Sequence, residues 1–192
     1  MSAAIEVLRT HILTRTGGQA EQLDAVLEHF MPLTLKRGDV LLRQGEVCTE
    51  VYFVAKGCLQ VYATDAEGNE TTRDIGLEEA WVSELISFGS GQPANEGIRA
   101  VEPSEVCAIS KEGFGQMMAQ VPPFERIYRQ ILEASYANSV YRINTFMAMT
   151  ALERIQWLMQ NRPSLMSRLP GRLVASYLGI APEVLSRLRA KL

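Results

Sequence analysis

Glu183 and Arg187 stand four residues apart near the C-terminus, a spacing that brings two side chains onto one side of a helix. A carboxylate there can accept from the amino group of a cytosine, and a guanidinium can donate twice to the edge of a guanine. With Ser186 beside them they form a candidate base-reading set for a major groove. Arg168, Arg172, Ser176, Arg189 and Lys191 suit phosphate oxygens better than base edges. The competing explanation is an ordinary helical hairpin with an i,i+4 Glu–Arg pair worth a few tenths of a kcal/mol.

Two short helices must present these groups. Ala175, Gly179 and Leu185 follow the spacing A-x3-G-x5-L of a helix-turn-helix. A small residue sits where the helices touch, a glycine where the turn takes a left-handed backbone, and apolar residues (Val174, Leu178, Ile180, Leu188) lock the pair. Pro182 suits the first turn of the second helix, whereas Ala181 is a weak N-cap. The stretches predicted as helical are Gly171 to Leu178 and Pro182 to about Lys191. Upstream, Thr150 and Glu153 form a capping box that starts a helix running to about Asn161, halted by Pro163.

Before Thr150 lies a helix some 25 residues long. Leu132, Tyr136, Val140, Ile143 and Met147 form one stripe along it, which predicts that one side packs on its own β domain and the other on a second copy of the chain. From Met31 to about Ser110 the texture is β-rich. Strands are predicted at Asp39 to Leu42, Val51 to Ala55, Leu59 to Ala63, Thr71 to Ile75, Gly97 to Val101 and Val106 to Ser110, with a further helix starting near Ser110. Ile5 to Phe30 reads as two short helices around the break Gly17-Gly18.

Composition narrows the classes. In the 192-residue chain, residues 1–149 carry 12 Lys/Arg against 20 Asp/Glu and residues 150–192 seven against two. Net charge therefore turns from −8 to +5, as expected of a C-terminal segment that meets a polyanion. Three cysteines (Cys48, Cys58, Cys107) without C-x-x-C spacing cannot supply a four-thiolate cluster and are expected as buried thiols. His11 and His29 are the only histidines, which disfavours a His-rich metal site, a Ser/Cys–His pair, or a cupin-like oxygenase on the β region. No apolar run nears the ~18 residues of a membrane span, and no export signal opens the chain, so a cytoplasmic protein without membrane association is expected.

Gly38-Asp39-Val40-Leu41, Gln44-Gly45-Glu46, Val51 through Gly57 and Ile109-Ser110 through Phe114 resemble the glycine-punctuated β-roll of the Crp/Fnr superfamily of bacterial regulators. Ala175 through Ile180 with Leu185 through Arg189 resembles the helix-turn-helix of one branch of that superfamily. The resemblance covers about residues 20–192. It implies an α+β chain: an N-terminal β-roll (a double-stranded β-helix of the cyclic-nucleotide-binding type) with flanking helices over 1–121, a dimerisation helix and hinge over 122–149, and a helix-turn-helix domain over 150–192. The β-wing that many relatives carry beyond the recognition helix is not expected here.

In that family a Gly-Glu-Leu segment and a downstream Arg-Ser/Thr hold the ribose and the cyclic phosphate. This chain reads Ser83-Glu84-Leu85, and Ala94-Asn95 falls where the arginine pair should stand. Losing the bidentate partner of a buried anion costs a few kcal/mol, roughly a hundredfold in affinity or more, so cyclic AMP is not expected to bind. Ser83, Glu84, Ser87, Ala94, Asn95 and Arg99 remain the candidate effector pocket. It is either lined for another, unidentified small molecule or filled by side chains such as Trp81 and Phe88.

The resemblance therefore implies a homodimeric, sequence-specific DNA-binding transcription regulator acting on double-stranded DNA. RNA polymerase is a further candidate partner, and no catalytic residue, metal or cofactor is assigned. The alternative is a ligand-binding or protein-interaction module of the same fold that does not bind DNA.

Overall fold

The structure, a computed structural model, describes residues 2–16, 23–120 and 122–190. Helices α1 (Ala3–Thr16) and α2 (Leu23–Leu27) bury Ile5, Leu8, Ile12, Leu23, Val26 and Leu27, apolar residues that recur at helical intervals. The Gly17-Gly18 break lies outside the described residues. Eight strands follow: β1 (Phe30–Leu35), β2 (Val40–Leu42), β3 (Glu50–Lys56), β4 (Leu59–Thr64), β5 (Glu70–Gly76), β6 (Trp81–Val82), β7 (Gly97–Ala100) and β8 (Ser104–Ser110), with α3 (Leu85–Ser90) between β6 and β7.

The strands form two four-stranded sheets, ordered β1-β8-β3-β6 and β2-β7-β4-β5. Two of them, β1 and β6, were not expected from the sequence. Pro32 interrupts β1 and reads as a breaker, but β1 is an edge strand paired only with β8, where a missing N–H is tolerated. β6 is two residues long, too short for a periodic signal. Phe53, Val54, Leu59, Ile98, Val106 and Ile109 fill the core. Cys48, Cys58 and Cys107 are buried free thiols, and burial pushes the Cys107 thiol up to about 12, which makes it inert at neutral pH.

Helix α4 (Lys111–Gln120) precedes α5 (Pro122–Ala148), the long helix. The capping box opens α6 (Ala151–Asn161) as predicted: Thr150 N–H donates to Glu153 Oε2 at 2.7 Å, and Glu153 N–H to Thr150 Oγ1 at 3.4 Å. Pro163, expected only to end a helix, also begins one. It is the first residue of α7 (Pro163–Arg168), where its fixed φ and missing N–H suit the first turn. α8 (Gly171–Leu178) and α9 (Pro182–Arg189) are the last described elements.

Two compact units result. One comprises the residues up to Ala63 with Asp74–Leu132; the other comprises Thr64–Arg73 with the residues from Glu133 on. The second unit thus adds the tip of the β4–β5 hairpin and the last turns of α5 to the helix-turn-helix segment, a grouping that neither charge nor periodicity indicates.

Within the first unit, buried His11 ties α1 to the sheet. Trp81 Nε1 donates to His11 Nε2 at 3.2 Å, and His11 Nδ1 lies 2.8 Å from Arg15 Nη1 and 3.2 Å from Glu79 Oε2. Glu79 adopts φ 64, unusual for a non-glycine residue, in the turn that delivers its carboxylate. Burial, and secondarily the charge of Arg15, holds the His11 pKa below 6.5. The unfolded chain therefore binds a proton more readily than the folded one, and stability should fall as pH drops through the unfolded value of 6.5. Urea midpoints should be lower at about pH 5.5 than at about pH 7.5, and His11→Gln should flatten that difference.

Candidate nucleic-acid interface and small-molecule pocket

The α8–α9 pair is built as its spacing requires. Ala175 is fully buried at the helix contact, and Gly179 closes α8 in the left-handed region at φ 64, ψ 39. Its N–H meets the carbonyls of Ala175 and Ser176, and Ile180 N–H returns to Ala175 O at 3.0 Å, satisfying carbonyls that the helix end would leave open. Gly179 also packs tightly: a Cβ there would press into the Phe146 ring. Ala181 supplies no side-chain cap, and Pro182 occupies the first turn of α9.

With Leu185 buried, as are Val174 and Leu178 of α8, the opposite face of α9 presents Glu183, Ser186 and Arg187, all exposed, with Arg189 at its end. Two of these are hydrogen-bonding groups of opposite charge at helical spacing. Arg168 and Arg172 are exposed as well. Lys191 lies outside the described residues.

Ser176 departs from its predicted place. Its Oγ accepts from Thr72 N–H at 2.9 Å and donates to Glu70 O at 3.5 Å, so the hydroxyl is engaged by the start of β5 instead of standing open for a phosphate. The partners are over a hundred residues away in sequence, and nothing local signals the contact.

Sequence reasoning also missed how three arginines of this unit are used. Arg142 lies 5.0 Å from the Phe146 ring centre and 4.2 Å from that of Tyr177. Arg154 lies 4.8 Å from Phe146 on its own account, and Arg162 donates to the Tyr177 hydroxyl at 3.1 Å. Cations and aromatic rings thus alternate from the end of α5 to α8. Arg154 and Arg162 contribute to the +5 charge of residues 150–192, yet both are committed inside the unit. The Arg142/Phe146 i,i+4 pair was the only local signal.

Along α5, Tyr136, Val140, Ile143 and Met147 are exposed, Met147 at 82% and Tyr136 at 73%, whereas Leu132 is half-buried. An apolar stripe open to water over this length is uncommon on a chain that stays monomeric.

Four of the six pocket candidates, Ser83, Glu84, Ser87 and Ala94, are buried. Glu84 is buried and caps α3, accepting from Ser87 N–H at 2.6 Å. Ser87 Oγ donates to Gln92 O at 2.5 Å and accepts from Cys48 N–H at 2.9 Å, and Ser83 Oγ donates to Glu50 O at 3.0 Å. Ala94 is buried, its backbone paired with Gly45 and Glu46, and Asn95 is exposed. Arg99 Nε donates to Gln60 Oε1 at 2.9 Å while its guanidinium lies 4.3 Å over Tyr62. Trp81 packs with Phe53 at 5.1 Å and Phe88 with Phe114 at 5.8 Å, so both rings belong to the core of the first unit. No described helix is long and apolar enough to cross a membrane, and no described group of three or more His, Cys, Asp or Glu could hold a metal ion.

Residues 32–121 match the cyclic nucleotide-binding domain family. Over 180 residues the chain is 26% identical to the transcriptional activator protein Anr of Pseudomonas protegens, covering 87% of this chain and 71% of that protein. Its fold is similar to that of FixK2 from Bradyrhizobium japonicum, with a TM-score of 0.73 at 16% identity over 85% of this chain and 84% of that one. It is also similar to CLP, the c-di-GMP responsive global regulator of Xanthomonas campestris, with a TM-score of 0.72 at 19% identity over 90% and 91%. Residues 32–121 thus carry the cyclic nucleotide-binding domain match, and a β-roll, a long helix and a closing helix pair follow one another in a chain that is similar to these proteins along most of its length.

Proposed function

We propose that the chain is a homodimeric, sequence-specific DNA-binding transcription regulator. The observation that carries this is the α9 face. Glu183, Ser186 and Arg187 are exposed together on a helix whose other side is locked by Leu185, and exposed arginines flank them. The exposed α5 stripe supports pairing with a second copy, which would set two α9 helices about 34 Å apart on successive major grooves. Double-stranded DNA in a bacterial cytoplasm is the partner, with RNA polymerase as a second one; the activity is binding rather than catalysis.

Arg168, Arg172 and Arg189 from each protomer would neutralise about six phosphates, so affinity should fall about a thousandfold between roughly 50 and 200 mM salt. A gel-shift titration over that range, on a duplex selected from a random pool, tests this. Salt-independent binding, or no selected duplex, would remove DNA as the partner.

The effector differs from cyclic AMP in this proposal. Glu84 and Ser87 already bond to the protein, Ala94 offers no cation, and Arg99 is held by Gln60 and Tyr62. Calorimetric titration with cyclic AMP should give binding at least about a hundredfold weaker than a site with the arginine present, and Ala94→Arg is the comparison variant.

A further inference from the structure

Arg154 is placed where two helices end. Its Nη2 donates to Phe146 O at 3.1 Å, its Nε to Met149 O at 3.2 Å and its Nη1 to Leu178 O at 3.0 Å. Phe146 lies in the last turn of α5, Met149 just beyond it, and Leu178 is the last residue of α8. These carbonyls have no intrahelical partners, and helix C-termini carry partial negative charge, so one cation satisfies both ends at once. The same guanidinium lies 4.8 Å from the Phe146 ring, which fills the space beside Gly179 in the α8–α9 turn. Only the fork of an arginine has donors in the directions this demands; a lysine is a single point charge.

We infer that Arg154 is a positioning residue that fixes the angle between the end of α5 and the helix-turn-helix, and through it the half-site spacing the dimer accepts. The inference rests on the DNA-binding proposal above. α5 carries the exposed stripe and α9 the reading face, and only Met149 and the cap Thr150 separate α5 from α6. A dimer reads two half-sites at one separation only when each reading helix is rigid relative to the pairing helix. Without the clamp, each reading helix would still engage its own half-site, but the separation between the two would no longer be fixed.

The test uses the full chain and three duplexes: an operator selected by the wild-type protein from a random pool, the same operator with its spacer changed by two base pairs, and an isolated half-site. Wild type should lose about tenfold or more in affinity on the altered spacer. Arg154→Gln should bind the two spacings within about threefold of each other while keeping half-site affinity within about twofold of wild type. Arg154→Lys keeps the charge and serves as the second variant should Arg154→Gln fail to fold, with the same outcome expected.

Retained spacing discrimination in either folded variant overturns the inference, as does loss of half-site binding in both, which would mark a role in folding alone. If wild type selects no duplex, the DNA-binding proposal falls and takes this inference with it. If it selects one and the variants discriminate as it does, only the role of Arg154 falls.

Discussion

Arg187→Ala is expected to lower affinity for the operator selected by the wild-type protein by about two to four orders of magnitude, because each bidentate base contact is worth about 1–3 kcal/mol and a dimer presents two. Arg187 is exposed on the face of α9 opposite buried Leu185, so truncating it removes no core contact and fold stability should be unchanged. The loss should also depend on sequence. At the base pair the guanidinium reads, operators that differ there should become equivalent. Arg172→Ala provides the contrast: an exposed arginine on α8 placed for a phosphate should weaken all duplexes alike and reduce the salt slope by about 1 per protomer. Equal, sequence-independent losses in both variants would move Arg187 from the reading face to the backbone-contacting set.

What the sequence disclosed divides along the range of the interactions involved. The capping box at Thr150, the left-handed Gly179 and the exposed Glu183–Arg187 pair depend on residues within a few positions of each other, and all three were legible. The apolar stripe of α5 was legible for the same reason: helical periodicity reports which residues share a face. Edge strand β1 was hidden by Pro32, whose tolerance depends on having a sheet neighbour on one side only, a fact of topology.

Longer-range uses of polar groups left no trace. Ser176 looked like a phosphate ligand because it lies on a basic helical hairpin, yet its hydroxyl is held by Glu70 and Thr72. The +5 charge of residues 150–192 likewise overstated what faces a polyanion, since Arg154 and Arg162 are spent on carbonyls, Phe146 and Tyr177. In the candidate pocket, that Ala94 offers no cation could be read directly from the sequence. That Glu84 turns onto the first turn of α3 could not, because a carboxylate that can bond a ribose can equally cap a helix.

The largest stability effect is expected in the β-roll. Gly57, between β3 and β4, has φ 99, and its N–H donates to Glu78 Oε1 at 2.9 Å. A Cβ at this position would lie 2.6 Å from Ser104 Cβ and 2.7 Å from Ser104 Cα, inside contact distance of backbone as well as side chain. Ser104 has little freedom to retreat: it is buried, its Oγ accepts from Cys58 N–H at 3.0 Å and donates to Glu102 O at 2.9 Å, and it opens β8. Gly57→Ala therefore incurs about 1–2 kcal/mol for the left-handed backbone and a further 1–3 kcal/mol or more for overpacking against an immobile neighbour. Against a typical stability of about 5–15 kcal/mol, a loss of that size should lower Tm on the order of 10 °C. Gly68→Ala separates the two contributions: its φ is 86, but nothing lies within 4 Å of a Cβ there, so only the backbone cost of about 1 kcal/mol should appear. Equal losses of Tm in the two variants would show that the close approach of Ser104 to Gly57 is not what requires a glycine at this turn.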